Sequence, residues 1–299
     1  MTEARTLGDF RRARFCSRST AAGLALILSA PAVAAAPPQR IVSLNLCTDQ
    51  ILVDLVPRER IAAVTHLATD ATVSAAPEKL AGLRITRGAA EDVLSLDPDL
   101  IIAGAYTTPA TVDLLRRLGR RVVVVSLPDS VAGVRSLIGE IAAAVEESSA
   151  GARLIADMDA RLARVRTTSK SDGVRPAALV YQINNYIAGG GTLVDEALSI
   201  AGFRNQGVQV ATLASGKTEL ESIIAAPPDL MVLATKPDAY ATAAGDNLRH
   251  PALARLMQQV PNIVLAWPLW LCGTQHIATA IEQLTAARIA LIARGGKAP

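Results

Sequence analysis

The residues able to do chemistry in this chain are few, and their spacing does not build a reaction centre. The three histidines stand at 66, 250 and 276, and neither a G-x-S-x-G elbow, an HExxH pair nor a CxxC pair is present. No nucleophile has a base beside it, so an enzyme is not expected. Dispersed histidines also argue against a free-metal site, which needs convergent His or carboxylate ligands. No metal and no cofactor are therefore expected. What the sequence does concentrate is aromatic and polar residues just after strand-like segments. Only 3% of residues are aromatic, yet Tyr106, Tyr186, Trp267 and Trp270 all fall there, as do His66, Asn184, Asn185, Lys236 and Tyr240. Arg84 and Arg87 stand shortly before the helix that begins near Glu91. Indole, phenol and guanidinium groups gathered on one edge suit capture of a bulky, partly apolar ligand with anionic or carbonyl oxygens.

Cys47 and Cys272 follow the first and last of these strands, one in each half of the chain. An even pair in an oxidising compartment invites a disulfide, which here would tie the halves together. A soft-metal pair of thiols, or two small buried apolar side chains, are the other readings of the same residues.

The elements that must hold these groups follow from a repeat. Residues 91–104, EDVLSLDPDLIIAG, return in altered form at 221–234 as ESIIAAPPDLMVLA, with Glu91 and Glu221 each seven residues ahead of a Pro-Asp-Leu. Each copy reads as a short helix ended by proline, then a buried strand. A helix that packs on a parallel sheet and feeds the next strand starts at the edge where strands end. Both glutamates are thus expected at the carboxyl edge, where open α/β sheets bind ligands.

Around the repeat, strand-like segments at 41–45, 61–65, 100–104, 122–127, 177–183, 230–234 and 262–267 alternate with helical ones. This is the punctuation of parallel sheets covered by helices. A long helical stretch over 129–166 carries Leu154, Met158, Leu162 and Val165 as one apolar stripe, with Ser148, Ser149 and Gly151 as a possible break. It is expected to cross between two lobes. NNYIAGGG at 184–191 reads as a loop made flexible by its triple glycine, Thr192 with Asp195 as a capping box, and a final helix is expected from about Thr274.

Residues 1–36 read as an export signal: Arg11, Arg12, Arg14 and Arg18, an apolar run from Ala21 to Val33, then three alanines with cleavage near Ala36. Cys16 precedes the apolar run, so a lipid anchor is not expected. Removing these residues takes five arginines and two acids, and leaves 25 basic against 25 acidic residues. A near-neutral product has no footprint for nucleic acid. The expected organisation is an N-terminal α/β lobe over 37–128, a linking helical region over 129–170 and a C-terminal α/β lobe over 171–299.

RIVSLN at 40–45, ERIAAV at 59–64, GAAEDVLSLDPDLIIAG, GTLVDEAL at 191–198 and LESIIAAPPDLMVLA together resemble the periplasmic binding proteins of ABC importers for ferric siderophores, cobalamin and haem. The resemblance implies two Rossmann-like lobes with mostly parallel sheets joined by a long rigid helix, and a monomer in the periplasm. The implied partners are a metal chelate, with a ferric siderophore ahead of cobalamin or haem, and an ABC permease. By resemblance, Glu91 and Glu221 would dock on that permease. Arg84 or Arg87, with Tyr106, would hold ligand oxygens from one lobe, and Tyr186, Trp267 and Trp270 would cover the ligand from the other. His66, Cys47 and Cys272 stand beside them on the cleft edge.

Overall fold

The computed structural model describes residues 36–169, 173–210, 215–234 and 249–295. Most of the targeting stretch, together with Lys236 and Tyr240, lies outside the described residues.

The first lobe runs β1 (Ile41–Ser43), α1 (Leu46–Leu55), β2 (Ile61–Thr65), α2 (Pro77–Leu80), β3 (Ile85–Thr86), α3 (Ala90–Leu94), β4 (Leu100–Gly104), α4 (Pro109–Arg117) and β5 (Val122–Val125). Its five strands lie in the order β3-β2-β1-β4-β5, and every pairing is parallel. Then come α5 (Val131–Ala144) and α6 (Ser148–Ser169). The second lobe continues with β6 (Ala177–Tyr181), β7 (Tyr186–Ala188), α7 (Leu193–Ile200), β8 (Arg204–Asn205), α8 (Gly207–Val210), β9 (Ser215–Lys217), α9 (Leu220–Ala225) and β10 (Leu230–Leu233). It closes with α10 (Pro251–Gln259), β11 (Asn262–Val264), α11 (Pro268–Leu271) and α12 (Ile277–Ala293). Its strand order is β11-β10-β6-β7-β9, with β8 also on β6. Pairings to β6 from β10 and β8, and β10 to β11, are parallel, while β6-β7 and β7-β9 are antiparallel.

The repeat has a structural meaning beyond its helix and strand. Asp99 accepts hydrogen bonds from the backbone N–H groups of Gln39 (2.6 Å) and Arg40 (3.0 Å), just ahead of β1. Asp229 accepts from the N–H of Ala177 (2.7 Å), which opens β6. In both lobes the Pro-Asp carboxylate thus sets the starting register of two neighbouring strands.

The break in the linking region comes earlier than the serines and glycine suggest. Glu146 adopts φ 60°, turning the chain between α5 and α6. Gly151 lies within α6, where an added Cβ would come within 2.4 Å of Ala142 Cβ, so it permits α5 and α6 to touch rather than ending a helix. The 22 residues of α6 span roughly 33 Å at ~1.5 Å per residue. This helix packs on α1 and α5 of the first lobe and on α7 and α12 of the second. Ion pairs fix both sides: Arg135 to Asp159 (2.8 Å) and Arg161 to Glu282 (2.6 Å). Met158, Leu162 and Val165 sit in one continuous apolar core that also takes in Ile51, Leu100, Val180, Leu198 and Ile281. Two smaller clusters fill the outer faces of the sheets. A core that runs through the linker favours rigid lobes over hinge closure.

Three expectations are corrected. The stretch after β6 is a strand, not a loop. Asn184 and Asn185 both adopt positive φ (61° and 58°), the conformation of a tight hairpin turn that asparagine tolerates. Gln182 N–H then bonds to Tyr186 C=O (2.8 Å) and β7 folds back. The first strand stops at Ser43 because Asn45 caps α1, accepting from Cys47 N–H at 2.9 Å. His276 is the N-cap of α12 rather than a residue within it.

Candidate functional site

A cavity of about 460 Å³ opens between segments of the two lobes, within the range usual for small-molecule sites, roughly 300–1,000 Å³. The first lobe supplies Tyr106, which follows β4, and Leu127, Pro128 and Asp129, which follow β5. The second supplies Gln182, Tyr186, Ile187 and Ala188 from the β6-β7 hairpin, Gly191 to Val194 at the start of α7, and Trp267, Trp270, Leu271 and Gly273 around α11. Four of the expected aromatic residues are therefore brought together.

They are held very differently. Tyr106 is 83% exposed and Tyr186 41%, whereas Trp270 is only 4% exposed. Trp270 packs into the main core, and its indole Nε1 has no hydrogen-bond partner. Pro268 begins the single turn of α11, and Leu271 N–H closes it on Trp267 C=O at 3.0 Å, which sets both indoles on one short helix. Tyr186 pairs with Lys217 across β7-β9, and the Lys217 ammonium lies 5.5 Å from the centre of its ring. The turn before Tyr186 is pinned by the Tyr181 hydroxyl, which donates to Asn185 Oδ1. Burial pushes the Tyr181 phenol up to about 12, so it stays a neutral donor.

Among the described residues that line this cavity, only Asp129 is charged. Arg84, Arg87 and His66 are not among its lining residues. Arg87 and His66 follow β3 and β2 at the far side of the first sheet from β4. Arg84 precedes β3, level with the middle of β2 through Val64 N–H to its carbonyl (2.9 Å), so it stands off the carboxyl edge where it was expected. The two-residue β3 carries no alternation signal, which is why the sequence alone puts both arginines together. Glu91 and Glu221 are exposed in the first turns of α3 and α9.

Cys47 and Cys272 form a disulfide, with Cα atoms 5.0 Å apart across a separation of 225 residues. Cys47 also borders a narrow extension of the cleft, about 20 Å³, together with Asn45, Tyr106 and Leu127. Two residues after Cys47, Asp49 is fully buried in α1. Its Oδ2 accepts from Thr65 N–H (3.2 Å) and the Thr65 hydroxyl (2.5 Å), while Oδ1 has no partner. Burial pushes this carboxyl up to about 7, against the opposing effect of the nearby Ser43 hydroxyl and of the Thr65 hydrogen bonds. Among the described residues no three His, Cys, Asp or Glu side chains converge as metal ligands, and no helix is long and apolar enough to cross a membrane.

Sequence reasoning misses Gln182, Asp129 and Leu127 as wall residues. The sequence reads Asp129 or Ser130 as the cap of the helix that follows; the cap is Ser130, which accepts from Gly133 N–H (3.1 Å), and Asp129 lines the cleft.

The profile of a family described as "Periplasmic binding protein" matches residues 41–257. A cobalamin-binding protein of Halobacterium salinarum is 27% identical over 203 residues, covering 67% of this chain and 55% of that one. The chain thus spans about half the length of that relative. Among solved structures, the apo form of the periplasmic heme-binding protein RhuT from Roseiflexus sp. RS-1 superposes with a TM-score of 0.72 at 26% identity, over 85% of this chain and 98% of that one. The periplasmic vitamin B12 binding protein BtuF of Vibrio cholerae gives 0.63 at 18% identity, over 86% and 98%, a likeness of fold.

Proposed function

Because this chain belongs to the periplasmic binding protein family, we propose that it is an exported receptor that captures a metal-bearing tetrapyrrole of the corrinoid type between its lobes and presents it to an ABC permease. The observation that carries this reading is the cavity itself: aromatic and aliphatic walls, amide and hydroxyl groups from Gln182, Thr192 and the two tyrosines, and no cation among the described residues that line it. A corrin ring is broad and apolar on its faces and bears neutral amide arms, which suit Asp129, Gln182 and the phenols as partners. An anionic ferric siderophore would draw on Arg84 or Arg87, and neither lines the cavity. The relative named for cobalamin points the same way.

One observation favours haem as a second reading. Two phenols stand exposed at the cleft, a side chain able to ligate ferric iron, and Lys217 beside Tyr186 offers one positive charge near the rim for a propionate. In either case Glu91 and Glu221 are the docking points on the permease, matched by the repeat and exposed at helix starts.

The test is intrinsic fluorescence titrated with cyanocobalamin, haem and a ferric hydroxamate. Trp267 and Trp270 are the only indoles in the chain and both line the cavity. Saturable quenching by cyanocobalamin at micromolar or lower concentration is expected. Saturation by the hydroxamate with no response to either tetrapyrrole overturns the proposal.

A further inference from the structure

The disulfide is part of a seam that joins the lobes at the side of the cleft. Residues 267–273 carry Trp267, Trp270, Leu271 and Gly273 into the cavity wall, and the same stretch holds Cys272, bonded to Cys47 in the first turn of α1. Just beyond, Gln275 Nε2 donates to Gln50 C=O (3.0 Å) and to Asp54 Oδ2 (2.8 Å), both on α1. Gly273, at φ 57°, lies so close to the first lobe that a Cβ there would meet Pro128 Cγ at 2.6 Å. The wall segment has little regular structure of its own, since α11 is one turn of four residues and β11 before it is three, and Trp270 is its main anchor in the core. By contrast α6, which joins the lobes elsewhere, and α12, which packs on it, are long helices.

We propose that the Cys47–Cys272 bond is a redox latch on the binding cleft: its formation seats the indole-bearing wall against the first lobe, and its reduction loosens that wall and weakens ligand capture without unfolding either lobe. Local openings start in segments with little regular hydrogen-bonded structure, and a cross-link across such a segment suppresses them. The consequence is a receptor that binds most tightly where thiols are oxidised. Formation of the bond removes two electrons and two protons from the thiols, which pass to a disulfide-bearing thiol oxidant. Reduction by a dithiol reverses this. A thiolate attacks Cys47 Sγ, which is partly exposed while Cys272 is 1% exposed, and Cys272 Sγ leaves and is protonated. The second thiol then resolves the mixed disulfide, releasing Cys47 as a thiol.

The ligand half of this inference rests on the tetrapyrrole reading above, so the experiment has a readout that does not need a ligand. Hydrogen exchange is measured on the oxidised chain, on the same sample after dithiothreitol, on that sample reoxidised, and on Cys47→Ser/Cys272→Ser. Cyanocobalamin and haem affinities are measured on each. Faster exchange over 267–276 and 46–50 in the reduced and serine forms, unchanged exchange in β4 and β10, recovery on reoxidation, and affinity weakened about tenfold, chiefly by faster dissociation, are expected. Equal exchange over 267–276 in all forms overturns the latch, and so does affinity that stays within about twofold while exchange rises. If the oxidised chain binds neither tetrapyrrole, the function proposed above falls, while the exchange data still decide whether the segment is latched. If the serine variant fails to fold, the reduction and reoxidation series on the native chain distinguishes the same outcomes.

Discussion

The same junction is built twice and to different lengths. In the first lobe two residues separate β1 from α1, whereas in the second lobe residues 182–192 separate β6 from α7. The short version leaves only the cap at Asn45 and the bridging cysteine near the cleft. The long version makes an extra antiparallel hairpin, and from it come Gln182, Tyr186, Ile187, Ala188, Gly191 and Thr192 of the wall. A duplicated lobe design thus keeps its shared part for scaffold and, under the function proposed above, for docking, and gains its cleft wall where one copy lengthened a strand-to-helix turn. Function in such folds sits in what is added at the carboxyl edge, not in the sheet.

The largest effect is expected where the lobes are alike. Reversing both charges, Glu91→Arg with Glu221→Arg, should abolish uptake in cells that depend on this receptor while ligand affinity measured on the purified protein holds within about twofold. Each single reversal should leave partial uptake. Full uptake by the double variant removes the docking pair, and a lost affinity shows that the glutamates serve the cleft instead.

The next effect separates the buried from the open side of the cleft. Trp270→Ala deletes a large side chain that is 4% exposed in the main core, and should destabilise the protein by about 4 kcal/mol in urea titration. Tyr106→Ala, at 83% exposure, should change stability by less than about 0.5 kcal/mol yet weaken ligand binding. Equal stability losses from the two would contradict the division of labour between frame and grip.

The first lobe holds a buried acid in α1, the helix that follows its short junction. Asp49 has its folded-state carboxyl raised from 3.8 to about 7 by burial. A raised acid favours the folded state while it is protonated. Its contribution is therefore complete below about pH 4 and is lost as pH rises through about 7. Native stability should fall across that window by roughly 3 kcal/mol from this one group, and Asp49→Asn, which cannot ionise, should flatten the fall. Denaturant unfolding at several pH values checks it, and a wild-type profile as flat as that of the variant refutes the assignment.

Much of this architecture is legible in the residues. Pro-Asp-Leu after a short helix marks both repeat strands to the residue at their starts, because proline ends a helix and branched apolar runs are buried in parallel sheets. The meaning of the aspartate is not legible, since its partners at Gln39, Arg40 and Ala177 are more than fifty residues away. The cleft is half legible. Residues after strong strands fall at its edge as expected, Tyr106 and Trp267 among them, but two-residue and three-residue strands carry no usable period, which misplaces Arg84 and hides β7 and β9. Cysteine count allows the bridge without deciding it. Only the fold brings Cα atoms 225 residues apart to 5.0 Å.

The smallest effect sharpens the second lobe's own contribution. Lys217 comes beside Tyr186 of the cleft only because β7 and β9 pair antiparallel and set its ammonium 5.5 Å from the ring centre. An exposed cation over an aromatic ring is worth about 0.5–1 kcal/mol, so Lys217→Gln should loosen Tyr186 and weaken binding of any ligand stacked there by about two- to fivefold. The sign of the remaining difference depends on ligand charge. A neutral corrinoid should lose no more than this ring effect, while haem should lose more, because the variant also removes the positive charge that stands beside Tyr186 at the rim. Parallel titrations of both ligands against the native chain and the variant read the ratio directly. An equal loss for the two ligands assigns Lys217 to holding the ring, and a larger loss for haem assigns it to the ligand.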